Sequence, residues 1–73
     1  MPKTIHTDEY QRITERLKQA RVDADFTQEE VAKRIKKPQS YVSKIEAGEQ
    51  RIDIIELKVF AKLYKKEVDY FIQ

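Results

Sequence analysis

Residues 36–48 read KKPQSYVSKIEAG, and they carry the start and the stop of one short helix. Pro38 opens it, because a first-turn residue has no need of its amide and benefits from a preset φ. Gly48, the only glycine of the chain, closes it by adopting the left-handed conformation. At about 100° per residue, Gln39, Ser43, Ser40 and Lys44 fall on an arc from about 0° to 140°. Tyr41, Ile45 and Val42 fall on a separate arc from about 200° to 300°. Such a helix buries three apolar side chains and holds four polar ones out toward a partner.

The neighbouring segments are also helical. Thr27 followed three residues later by Glu30 is a capping box, in which each side chain satisfies an end amide of the other. It starts a helix whose inner face is Val31, Ala32 and Ile35. Only Lys36 and Lys37 separate Ile35 from Pro38, so the two short helices cross steeply, as in a helix-turn-helix. Upstream, Tyr10, Ile13, Leu17 and Ala20 make a one-sided stripe on a helix from about Asp8 to Val22. Downstream, Asp53 with Glu56 is a second capping box, opening a helix that runs to about Lys65. A last short helical turn begins near Asp69. Alternation of period two is nowhere sustained, so the expected class is all-α.

Composition sets limits. The chain has 73 residues, enough for one domain, read as a tail over 1–7 and a folded unit over 8–73. No stretch approaches the ~18 apolar residues of a membrane span, and the first residues lack the apolar core of a secretory signal. There is no cysteine, hence no thiol chemistry, which fits a cytoplasmic protein. His6 is the only histidine, has no companions for a metal site, and reads as a solvated tail residue. No glycine-rich phosphate loop and no acid–base or nucleophile constellation is present, so neither an enzyme, a cofactor nor a small-molecule ligand is expected. The net charge is only +2. Residues 1–26 and 49–73 each carry five basic and five acidic side chains, so the whole excess lies in 27–48, where Lys33, Arg34, Lys36, Lys37 and Lys44 face Glu29, Glu30 and Glu46. A lysine cluster alone is commonly a solvated face, and this one becomes informative only together with the helical motif.

The stretch TQEEVAKRIKKPQSYVSKIEAGEQR, residues 27–51, resembles the helix-turn-helix of the lambda-repressor and Cro type of transcription regulators. The likeness extends from RLKQAR before the motif to VDYFI at the end. It rests on the combination of Thr-Gln-Glu-Glu-x-Ala, Gln-Ser and Ile-Glu-x-Gly at matching spacings. The resemblance implies a five-helix lambda-repressor-like domain whose third helix lies in the major groove of double-stranded DNA. By position it implies base reading by Gln39, Ser40 and Lys44, and phosphate contact by Thr27, Gln28, Lys37, Ser43 and Arg51. Gln28 also matches the residue that braces the recognition glutamine, here Gln39. Arg21 and Glu46 match an ion pair tying the first helix to the end of the third. Tyr41 lies on the apolar arc, so packing is expected of it.

The family often has glycine before the second helix, in the turn of the motif and after the fourth helix. Here those places hold Asp25, Lys36 and Lys65. If the backbone keeps a positive φ there, each costs roughly 1 kcal/mol.

Two function classes follow. One is a sequence-specific DNA-binding regulator acting by occupying a promoter. The other is a protein-interaction module, such as a toxin-neutralising antitoxin, on the same scaffold. A partner groove would favour apolar anchors, whereas this face offers Gln, Ser, Ser and Lys, which favours DNA. The fourth helix adds an assembly expectation. Ile54, Leu57, Phe60, Ala61 and Tyr64 form a core-facing stripe. Ile55, Val59 and Leu63 form a second one, about 100–180° around. In the last helix Val68, Phe71 and Ile72 share one face and Tyr70 takes the other. If the last helix does not cover the second stripe, Ile55, Val59, Leu63 and Tyr70 form the interface of a two-fold homodimer.

Overall fold

The computed structural model describes residues 8–73. The expectations for His6 and the tail lie outside the described residues. The order is α1 (Asp8–Asp23), α2 (Gln28–Ile35), α3 (Gln39–Glu46), α4 (Ile54–Tyr64) and α5 (Val68–Ile72), with no strand among the described residues. None of these helices is long and apolar enough to cross a membrane.

Both capping boxes are formed. Thr27 Oγ1 accepts from the Glu30 amide at 3.1 Å while Glu30 Oε1 accepts from the Thr27 amide at 2.8 Å. Asp53 and Glu56 repeat the exchange at 2.8 and 3.1 Å. Each box satisfies two amides that a helix start otherwise leaves without partners.

Leu17 and Ala20 of α1, Val31 and Ala32 of α2, Val42 and Ile45 of α3, Leu57, Phe60, Ala61 and Tyr64 of α4, and Phe71 of α5 make one core. Burying each large side chain contributes about 1.5–3 kcal/mol. Thr14, which the apolar stripe does not include, is also buried, its hydroxyl donating to the Gln11 carbonyl at 2.9 Å. Tyr41 is half-buried and lies parallel to Phe60.

Two placements differ from the stripes. Ile54 is 55% exposed rather than core-facing. Helical side chains lean toward the N-terminus, and Ile54 is the first residue of α4, so no preceding turn lies beneath it. Ile72, the last residue of α5, is 49% exposed. Helix α5 packs chiefly on α1. It leaves Ile55 63% and Val59 46% exposed, while Leu63 and Tyr70 pack against the core.

Candidate nucleic-acid interface

Helix α2 is closed by Lys36, the residue after its end, which has φ 61°, and Pro38 then sits extended just before α3. The Lys36 amide returns to the Lys33 carbonyl and the Lys37 amide to Ala32, closing the turn within two residues. Val42 and Ile45 then anchor α3 from below. Gln39, Ser40, Ser43 and Lys44 are all exposed, together with Lys36 and Lys37 in the turn and Arg51 after it. Lys37 Nζ lies 5.2 Å from the centre of the Tyr41 ring, which holds its charge beside the start of α3.

Behind this face runs a chain of side-chain bonds. Arg21 Nε donates to Glu46 Oε2 at 2.7 Å, with the two side chains only 12% and 5% exposed. The guanidinium also reaches Glu46 Oε1 at 3.2 Å and the Phe26 carbonyl at 2.9 Å. Gln28 Nε2 donates to Glu46 Oε1 at 3.0 Å, and Gln39 Nε2 makes a long contact of 3.5 Å with Gln28 Oε1. The chemistry orients every amide. An ionised carboxylate only accepts, so Gln28 turns its NH₂ inward and its oxygen outward. Gln39 then turns its NH₂ to that oxygen. One amide hydrogen and the carbonyl oxygen of Gln39 remain for a partner. A donor and an acceptor side by side match the N7 and N6 edge of adenine.

The sequence-predicted residues thus separate into groups. Arg21, Glu46, Gln28 and Gln39 meet in one chain. Ser40, Ser43 and Lys44 share the outer face of α3. Thr27 is engaged in its capping box as an acceptor, and its hydroxyl proton can still be donated. Leu63 and Tyr70 do not join Ile55 and Val59 as exposed residues. Two cations lie near the Tyr70 ring, Lys66 Nζ at 4.6 Å and the Arg16 guanidinium at 5.4 Å from its centre.

The helical periodicity gives no sign of one contact. Tyr10 counts there only as a stripe residue, yet its hydroxyl ties α1 to the loop before α4. An aromatic residue with a polar tip at a stripe edge is the one hint available.

A helix-turn-helix family profile matches residues 17–71. The chain belongs to that family, the lambda-repressor and Cro type of DNA-binding regulator. Among curated proteins, no individual sequence matches it.

Proposed function

We propose that the protein is a transcription regulator that binds a roughly palindromic operator as a homodimer, working in the cytoplasm. Helix α3 enters the major groove. Gln39, Ser40 and Lys44 read base edges, Gln39 at an adenine, while Thr27, Lys37, Ser43 and Arg51 hold the backbone, joined by Gln28 through its second amide hydrogen. The observation that carries this reading is the bonded chain from Arg21 through Glu46 to Gln28, whose outward oxygen faces the Gln39 amide at 3.5 Å. A solvated helix face has no use for a glutamine whose amide is oriented from a buried ion pair.

A gel-shift titration over a salt series tests it, using a duplex selected by the protein from a random pool and a scrambled duplex. Gln39→Ala is expected to lose about 1–3 kcal/mol of preference for the selected duplex, with little change on the scrambled one. An equal fall on both duplexes would show that Gln39 reads no base.

A further inference from the structure

The loop between α3 and α4 covers residues 47–53. Its first amides, those of Ala47, Gly48 and Glu49, fold back on α3 carbonyls. Its last residue, Asp53, belongs to the capping box of α4. Between these anchored ends lie Gln50, Arg51 and Ile52. Gln50 and Ile52 are half-buried, whereas Arg51 is exposed. One side chain from a distant helix holds this middle. Tyr10 Oη donates to the Gln50 carbonyl at 3.0 Å and accepts the Ile52 amide at 2.9 Å. The hydroxyl therefore grips the chain on both sides of Arg51.

We propose that Tyr10 is a positioning residue for DNA-backbone binding, fixing the segment around Arg51 so that the guanidinium is aimed before DNA arrives. This rests on the reading of Arg51 as a phosphate contact. A loop that ordered only on binding would lose affinity to that ordering, and a preorganised one does not. Tyrosine suits the task because one hydroxyl both donates and accepts. Its partial burial raises its pKa above the ordinary value of 10, so the donor proton is retained. Phenylalanine at the same place would fill the same space and bond neither group.

The full chain carrying Tyr10→Phe tests the proposal, alongside Arg51→Ala and the double variant, on the selected and the scrambled duplex. Circular dichroism confirms the fold, and amide hydrogen exchange at Ile52 reports the loop. Tyr10→Phe is expected to weaken both duplexes about three- to tenfold and to speed exchange at Ile52. In the Arg51→Ala background it should have no further effect on affinity, which a merely structural role would not produce. Arg51→Ala alone should make the slope of log affinity against log salt shallower by about one. Equal losses from Tyr10→Phe with and without Arg51 would overturn positioning while leaving Arg51 a phosphate contact. Full affinity despite faster exchange would overturn it too. Unchanged binding by Arg51→Ala would overturn the phosphate reading, and the proposal with it.

Discussion

Glu46 shows how much one residue can organise. Its carboxylate receives Arg21 twice and Gln28 once, and its side chain is 5% exposed. Removing one partner of so buried a pair typically costs about 3–5 kcal/mol, since the other charge is left without compensation. The pair therefore both ties α1 to α3 and turns the amide of Gln28. Close by, Tyr64 is less well provided for. Its hydroxyl is buried without a hydrogen-bond partner among the described residues. Burial pushes its pKa above the ordinary 10, and the Glu46 carboxylate adds to this. An unpaired buried polar group costs about 1–3 kcal/mol in lost hydration. We expect Tyr64→Phe to raise the unfolding free energy in urea by about 1 kcal/mol or slightly less, moving the midpoint to higher urea with an unchanged denaturant slope. A lower midpoint would mean that the hydroxyl has a partner in solution. The same shift has a pH signature. Tyr10, Tyr41 and Tyr64 are all raised above 10, so the folded state favours their protonated forms. The stability this represents is complete below pH 10 and is lost as pH climbs through the raised values. Tyr64→Phe should blunt that alkaline loss.

Helix starts and helix stops differ in how openly the sequence states them. Thr27 with Glu30, and Asp53 with Glu56, announce α2 and α4 because capping needs particular side chains. Four helices stop in one common way. The amides of Asp25 and Phe26, Lys36 and Lys37, Gly48 and Glu49, and Lys65 and Lys66 each return three and five residues back along the chain. In every case the first of the two has positive φ: 66° at Asp25, 61° at Lys36, 76° at Gly48 and 58° at Lys65. Only Gly48 is visible as a stop from composition. At the other three the backbone bonds override residue preference, and family likeness alone points to the left-handed turn. The apolar stripes are legible for the same reason that the starts are, since burial selects side-chain type; the Tyr10 clasp is not, because its partners are backbone groups that any residue supplies. Lys65 offers the clean test of the strained stops, as it closes α4 and belongs to neither helix of the helix-turn-helix. Lys65→Gly relieves a cost of about 1–2 kcal/mol for a left-handed L-residue and gives back roughly half of it as unfolded-chain entropy. A net gain of about 0.5–1 kcal/mol is expected, raising the thermal midpoint by about 2–8 °C. No gain would show that Lys65 adopts this turn without strain.

At the scale of the whole molecule, the question is what covers the outer side of α4. Ile55 and Val59 lie one helical turn apart and are 63% and 46% exposed. A shallow groove lined by Ile35, Tyr41, Phe60 and Val59, with Lys37 and Glu56 also on its wall, lies beside them. Helix α5 does not reach them, because it is committed to α1, where Tyr70 is gripped by Arg16 and Lys66. The proposed homodimer therefore centres on Ile55 and Val59, with Leu63 and Tyr70 at its border rather than its middle. A two-fold axis there would set two copies of α3 about one DNA turn apart, ~34 Å, on a palindromic site. Val59→Asp separates folding from assembly. Val59 is nearly half exposed in one chain, so an aspartate there meets water and the helix persists. Against a second copy it would place two carboxylates face to face in an apolar contact. We expect a folded monomer by sedimentation, and helical circular dichroism close to that of the wild type. Binding to a single half-site should survive. The operator with both half-sites should lose about a hundredfold or more in affinity, because the second half-site no longer binds as an intramolecular event. A wild type that sediments as a monomer at micromolar concentration, or a Val59→Asp variant that remains dimeric, would place the interface elsewhere. Full operator affinity in a proven monomer would remove the need for a dimer altogether.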